Sequence, residues 1–361
     1  MQNVFVGHKN LKQESDFQVD ISTTPTIGAN NWDDFVAGST QAHYAQTTSW
    51  ASYRKASGWN TYFLTVRNQG QTVASCLALH KSIKNLAAGG VIYVSRGPVF
   101  APNLPNRSQV AELMLRELIK LTRRKIAVLR ISPDFQSDDT WLKEILAHQR
   151  CQTAAHAIQH TSTMRLDLRK TSEELISAMR RSRRFEVRKF ERERPPAWTI
   201  SFECSNNNLA TFHQMYVDTL KRQGNSYKSL EELQRLSEHL QAPKMNLALM
   251  YYQDQPVAGA ILLGHGRRLW YLYGGSAKGD KLISKAGVYL QWEIIKWGKA
   301  QEYTKYDLHG IPLESKAGDP FHGVYTFKKG FGGKMVELIG EYEYSQIPFM
   351  NRLLERHLSM L

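Results

Sequence analysis

The 361-residue sequence holds only three cysteines, Cys76, Cys151 and Cys204. They lie far apart, make no Cys-x-x-Cys pair and form no even set, which excludes a disulfide framework. Their expected role is buried apolar filling. Long hydrophobic runs are missing too: no stretch approaches the roughly 18 uncharged apolar residues that a membrane helix needs. Met1 to Asp20 is polar and mixed in charge, unlike a signal peptide. The chain is therefore expected to be soluble and to stay in the cytoplasm. There is no P-loop and no dinucleotide fingerprint. His156 and His160 have the i, i+4 spacing of a ligand pair, but no carboxylate or cysteine set accompanies them, so neither a metal nor another cofactor is expected.

Acidic residues are the scarcer charge, with 33 Asp+Glu against 47 Lys+Arg, for a net +14. Such an excess attracts polyanions in moderate salt, whether nucleic acid, nucleotide phosphates or anionic lipid; it can also serve solubility alone. A hydrophobic content of 42% over this length supplies two domains, since single cores rarely grow past roughly 250 residues.

The two halves echo each other. Thr61 to Thr65, the turn Asn68-Gln69-Gly70-Gln71 and Thr72 to Leu79 read as a hairpin; so do Leu247 to Tyr252, Gln253-Asp254-Gln255-Pro256 and Val257 to Leu263. A third strand follows in each half, Val91 to Val94 or Leu269 to Tyr273, and exits through Arg96-Gly97-Pro98 or Gly274-Gly275. An amphipathic helix comes next, marked by Val110, Met114, Leu115, Leu118 and Leu121, or by Val288, Trp292, Ile294 and Ile295. Ile126 to Ile131 and Tyr306 to Leu308 close the units. Three antiparallel strands, a helix and a further strand are the core order of the GNAT acetyltransferase fold. The expected class is mixed α/β (α+β), two GNAT-like domains in tandem with the crossing near Thr161.

Thr171-Ser172-Glu173-Glu174 has the form of a capping box and predicts one helix with a buried stripe of Ile176, Met179, Val187 and Phe190. Its other faces carry Arg180, Arg181, Arg183, Arg184, Arg188, Lys189, Arg192 and Arg194, offset only by Glu186, Glu191 and Glu193. Two readings stand, a face that meets phosphates and a face that is merely solvated.

The Gln/Arg-x-x-Gly-x-Gly/Ala loop that holds the pyrophosphate of acetyl-CoA is missing from both halves. Lys278-Gly279-Asp280-Lys281 and Lys285-Ala286-Gly287 occupy its place in the second half without the glycine spacing, and Ala101 to Arg107 is rich in Pro and Asn. Acyl-CoA is thus a poor candidate donor.

The most distinctive block runs Tyr306-Asp307-Leu308-His309-Gly310-Ile311-Pro312 and then Gly323-Val324-Tyr325-Thr326-Phe327-Lys328-Lys329-Gly330-Phe331-Gly332-Gly333. It resembles the C-terminal signature of the FemABX family. Further matches lie at Ser49-Trp50 through Gly58-Trp59, Arg96 to Val99, Asp167-Leu168, Met179 to Lys189, Thr219 to Gly224 and Tyr273-Gly274-Gly275. The resemblance implies a transferase that moves an amino acid from aminoacyl-tRNA onto a stem-peptide amine of a peptidoglycan precursor, either UDP-MurNAc-pentapeptide or lipid II. It implies domains at 1–161 and 162–339, with a tail from about 340 to 361 returning to the first, and it allows peripheral contact with the inner membrane face.

By the same resemblance, Arg54 and Arg222 would contact the precursor diphosphate, with Lys55 a competitor for the first role. Tyr93 and Tyr273 would line the precursor groove, against the alternative of ordinary sheet packing. Phe327 and Lys328 would meet the 3′ end of the tRNA and the reacting ester, the alternative being a surface lysine beside a core aromatic. Arg180, Arg184, Arg188, Lys189 and Lys329 are the cations expected to face tRNA. An activated ester and an amine need no Ser or Cys nucleophile, only positioning and oxyanion stabilisation. Two departures stand out. The acidic residue that relatives often carry after the Gly-Pro-Val turn is replaced by Phe100-Ala101-Pro102-Asn103, which leaves proton transfer unassigned. Ser229 to Leu240 is too short for the helical hairpin some relatives insert. Other readings are a GNAT-like enzyme acylating a small-molecule amine, and a non-catalytic RNA- or lipid-binding module.

Overall fold

The computed structural model describes residues 17–83, 89–193, 197–240, 244–319 and 321–347. The first part contains β1 (Phe17–Ser22), α1 (Ala29–Gly38), α2 (Thr48–Ala56), β2 (Asn60–Asn68), β3 (Gln71–Ser82), β4 (Gly90–Arg96), β5 (Val99–Phe100), α3 (Arg107–Arg124), β6 (Ala127–Pro133), α4 (Thr140–His148) and β7 (Gln152–Thr153). The second contains β8 (Ser162–Asp167), α5 (Ser172–Ala178), α6 (Arg181–Glu193), β9 (Trp198–Ser201), α7 (Asn206–Arg222), α8 (Leu230–His239), β10 (Lys244–Tyr252), β11 (Gln255–His265), β12 (Arg268–Ser276), α9 (Ala286–Ala300), β13 (Lys305–Gly310), α10 (His322–Lys329) and β14 (Lys334–Glu337). Last comes β15 (Tyr342–Ser345).

Both hairpins form. Gln69 and Gly70 turn the first with φ of 48° and 78°, and Gln253 and Asp254 turn the second with φ of 49° and 59°. Two successive left-handed residues match the right-handed twist of the flanking strands. In each half a helix then carries the chain back so that the next strand lies parallel to the third: β4 to β6 across α3, β12 to β13 across α9. One sheet runs β1-β2-β3-β4-β6-β15-β7, with β5 on β3; the other runs β14-β8-β13-β12-β11-β10-β9. The tandem GNAT-like order is therefore present. After β14 the chain leaves the second sheet, and β15 inserts between β6 and β7 of the first.

Three local expectations are corrected. The capping box at Thr171 is made on both sides, the Glu174 N–H donating to Thr171 Oγ1 at 3.2 Å and the Thr171 N–H to Glu174 Oε2 at 2.7 Å, but the helix is not continuous. Met179 turns extended (φ −66°, ψ 153°), and the Arg180 N–H donates to the Gly330 carbonyl at 3.0 Å, so a tertiary bond replaces a helical one and α5 and α6 separate. The apolar stripe stays buried across the break. Second, α9 is buried almost all round, because α6 covers the side an amphipathic helix would leave wet: Phe190 stacks on Tyr289 at 4.3 Å, and Trp292 Nε1 donates to Glu191 Oε1 at 2.8 Å. Third, Cys76 and Cys151 are buried, but Cys204 is only half-buried, with its sulfur 3.5 Å from Ser237 Oγ.

The halves share an apolar contact in which Tyr44, Ala45 and Tyr53 join Phe212, Tyr216, Leu247, Ile261 and Trp270. No described helix is long and apolar enough to cross a membrane.

Candidate active site

A buried charge network joins the two sheets. Asp134, just past β6, accepts from Arg165 of β8 at 2.7 Å and from Arg268 of β12 at 2.6 Å. Asp307 of β13 accepts from Arg165 Nε at 3.0 Å, and also from Arg268 and from the Thr163 hydroxyl. Burial works to raise both carboxyls, but Arg268 and Arg165 outweigh it and hold them well below the usual carboxylate range. Asp307 also accepts the His309 N–H at 2.9 Å, holding that residue at a left-handed φ of 62°. Asp307 was conspicuous in sequence. Asp134, Arg165 and Arg268 were not, since each lies outside any recurring motif and only folding gathers them.

Just beyond this network the sheet opens. β4 and β6 stay paired from Gly90↔Ala127 to Arg96↔Pro133, whereas β12 and β13 pair only from Arg268↔Lys305 to Trp270↔Asp307 and then part. The gap past the C-terminal ends of parallel strands is where α/β sheets commonly receive ligands. Lys328 of α10 reaches into this gap. It is only 7% exposed, its Nζ donates to the Gly310 carbonyl at 2.6 Å, and it lies 5.9 Å from the Tyr271 ring centre. Burial pulls the amine down to about 8, with Asp307 pulling the other way. Lys328 is thus not a surface lysine, and its neighbour Phe327 is the half-buried one of the pair. Phe327 meets Phe331 edge-on at 5.3 Å, and the Arg183 guanidinium sits 5.5 Å and 5.3 Å from the two ring centres.

Two histidines border the gap. His309 is half-buried, its Nε2 lying 3.2 Å from the Tyr44 hydroxyl oxygen, and desolvation lowers it to about 3. The His160 ring lies against Gly310 so closely that a Cβ there would fall 1.9 Å from its Cδ2. The His160 carbonyl accepts from Arg96 Nη2 at 2.8 Å. The residues around His156 and His160 form no helix, so the i, i+4 spacing never becomes one face.

Arg54, Tyr93 and Tyr273, expected on the acceptor side, share one electrostatic neighbourhood with Tyr53. The Arg54 guanidinium covers Trp59 at 4.4 Å, and burial lowers its pKa. Lys81 also lies over Trp59, at 5.4 Å, while Lys55 is exposed at the end of α2. Lys81 was missed because it comes from β3, remote in sequence from α2. Tyr93 is buried on β4, and Tyr273 is half-buried with its ring 5.6 Å from that of Tyr216. Arg222 ends α7 exposed, and its Nη2 donates to the Ser276 carbonyl at 2.9 Å and to Thr219 Oγ1 at 3.1 Å.

Of the cations expected to face tRNA, Arg180 is exposed, Arg184 Nη1 donates to the Ser177 carbonyl at 3.3 Å, Arg188 pairs with Glu173, and Lys189 lies 3.7 Å from Glu193. Lys329 donates to the Tyr325 hydroxyl at 2.6 Å. Beside them α6 and the segment leading into α9 enclose a groove of about 1000 Å³, lined among others by Arg181, Phe185, Lys189, Lys281, Leu282 and Lys285. Phe185 is 66% exposed there. An exposed aromatic ringed by cations suits stacked bases and phosphates; Phe185 gave no signal in sequence, and Lys281 and Lys285 stood out only as the place where a pyrophosphate loop is missing.

The FemAB family model matches residues 27–143 and 228–355. The chain is 25% identical over 252 residues to the UDP-N-acetylmuramoylpentapeptide-lysine N(6)-alanyltransferase of Weissella viridescens, covering 66% of this chain and 70% of that one. It is 23% identical over 382 residues to the lipid II:glycine glycyltransferase of Staphylococcus epidermidis, covering 86% and 90%. Among solved structures, FemX superposes with a TM-score of 0.82 at 19% identity, covering 93% of this chain and 100% of FemX. A tandem GNAT protein from the clavulanic acid biosynthesis pathway gives 0.51 at 9% identity, covering 91% and 98%. These two likenesses concern the fold, whereas the family model matches more than half of the sequence, on both sides of the crossing between the sheets. The chain belongs to the FemAB family.

Proposed function

We propose that this protein is an aminoacyltransferase that moves an amino acid from aminoacyl-tRNA to an amine of a peptidoglycan precursor stem peptide, building the interpeptide bridge. The observation that carries the reading is the buried Lys328 amine at the gap between β12 and β13. An aminoacyl ester entering that gap meets a cation in a partly dehydrated setting, where it stabilises the oxyanion formed when the amine attacks. The ester is already activated, so the remaining requirement is to hold the two substrates in line. Membership in a family whose relatives include a stem-peptide alanyltransferase and a lipid II glycyltransferase supports the same substrate class.

In this reading Phe327 packs against the tRNA 3′ end. Arg54 and Arg222 bind the precursor diphosphate, and Tyr93 and Tyr273 line the stem-peptide path. Arg180, Arg184, Arg188, Lys189 and Lys329 carry tRNA phosphates. We place the domains at 1–161 and 162–339, with the tail completing the first through β15; residues 348–361 of that tail lie outside the described residues. A lipid-linked acceptor would bring the protein to the inner face of the plasma membrane as a peripheral visitor.

The test offers pooled charged tRNAs with UDP-MurNAc-pentapeptide and with lipid II, and weighs the products by mass spectrometry. A gain of one amino-acid residue on the stem peptide is expected. No gain with any charged tRNA, or acylation from acyl-CoA without tRNA, overturns the reading.

A further inference from the structure

The proposed transfer needs a proton acceptor, because the attacking nitrogen must shed a proton as its bond to carbon forms. The carboxylates near the gap are poorly suited to this work. Asp134 and Asp307 are buried, doubly paired with guanidinium groups and correspondingly weak as bases. Glu341 is held by Arg130 at 3.1 Å and by the Ile158 N–H at 3.1 Å. After the third strand of the first half the sequence offers Phe100-Ala101-Pro102-Asn103 and no acid. Tyr271 and Tyr273 are raised by burial and remain protonated at neutral pH.

We propose that His160 is the proton acceptor of the transfer, working beside Gly310, the residue that also holds Lys328. Its ring packs on Gly310, whose carbonyl accepts the Lys328 amine, so base and oxyanion-stabilising cation are set by the same residue at the mouth of the gap. The ring stays accessible to solvent, and among the described residues neither ring nitrogen has a hydrogen-bond partner. His309, 6.2 Å away between ring centres, differs in both respects: it is half-buried and engaged with Tyr44. The charged and titratable groups facing His160 are Lys328, Arg96 and His309. Partial burial, then the positive charges of Lys328 and Arg96, lower its pKa, which keeps the imidazole unprotonated and ready to accept at neutral pH. Its backbone is held by Arg96, itself buried.

This inference rests on the transfer proposed above. The amine nitrogen forms a bond to the ester carbonyl carbon, giving a tetrahedral oxyanion beside Lys328. His160 takes the proton from that nitrogen. Collapse breaks the bond from carbon to the ribose oxygen, and imidazolium returns the proton to that oxygen, leaving amide and tRNA hydroxyl with the enzyme unchanged.

The test compares wild type, His160→Gln and His160→Ala in the charged-tRNA assay, with and without added imidazole. A positioned base contributes about 100-fold or more, so kcat should fall by about that factor in both variants while KM for each substrate stays within about twofold. Free imidazole should restore part of the His160→Ala rate, following the unprotonated fraction of the imidazole. Three results overturn the role: kcat within about threefold of wild type, a loss confined to KM, or a kcat loss that imidazole does not relieve in a variant with a native circular-dichroism spectrum. An inactive wild type instead overturns the transfer reading itself, so the two failures are distinguishable.

Discussion

The amine of Lys328 and the carbonyl of Gly310 are 2.6 Å apart, which pins a buried cation at the place where β12 and β13 separate. If that cation stabilises an oxyanion, Lys328→Ala should lower kcat by about 100- to 1000-fold, the usual cost of removing an oxyanion donor. The variant should keep a native circular-dichroism spectrum, and tRNA affinity should hold. Steady-state kinetics with an anisotropy titration of tRNA checks this; undiminished turnover would sink the role.

The same residue gives opposite pH trends. Burial lowers Lys328 from its ordinary 10.5 to about 8. The catalytically useful charged form is therefore lost as pH rises through about 8, and kcat should fall on that limb. Stability runs the other way: between about 8 and 10.5 the unfolded chain binds the proton more tightly, so this group's contribution rises with pH. Lys328→Met should remove both trends, read from pH–rate profiles and from denaturant melts across that range.

Asp134 is the counterion through which β6 holds β8 and β12. Asp134→Ala leaves two buried guanidinium groups sharing Asp307 and should cost about 3 kcal/mol, the low end for breaking a buried ion pair from one side. The depressed carboxyls of Asp134 and Asp307 contribute stability above their ordinary value of 3.8, and this is lost as pH falls below it toward their folded values. Wild type should weaken steeply in acid and the variant less so, as urea midpoints measured down the acid limb would show.

Gly310→Ala places a methyl group within the His160 ring, 1.9 Å from Cδ2. Overpacking of this kind costs about 1–3 kcal/mol. Truncating the ring in Gly310→Ala/His160→Ala should recover most of it. A double-mutant cycle with no coupling would refute the contact.

For tRNA, each phosphate contact removed should reduce the slope of log affinity against log salt by about 0.9. Arg180→Ala should show the larger effect, because it is exposed, and Arg188→Ala a smaller one, because Glu173 already shares that charge. Phe185→Ala should weaken binding with the slope unchanged, since stacking releases no counterions. Anisotropy titrations over a salt series distinguish the three.

What the sequence determined by itself is what neighbouring residues decide. Gln69-Gly70 and Gln253-Asp254 close hairpins between alternating strands, Thr171 and Glu174 cap each other, and α3 shows its buried stripe, because each depends on contacts a few residues apart. The signature around Phe327 and Lys328 was equally legible. Tertiary structure decided the rest. It drew Asp134 to Arg268 and buried Lys328 beneath a strand separation that exists only in three dimensions. It broke the arginine-rich helix at Met179 because Gly330, remote in sequence, offered Arg180 a better partner, and it laid His160 on Gly310. Burial and long-range pairing set charge states and mouths of gaps, and local pattern carries no record of either.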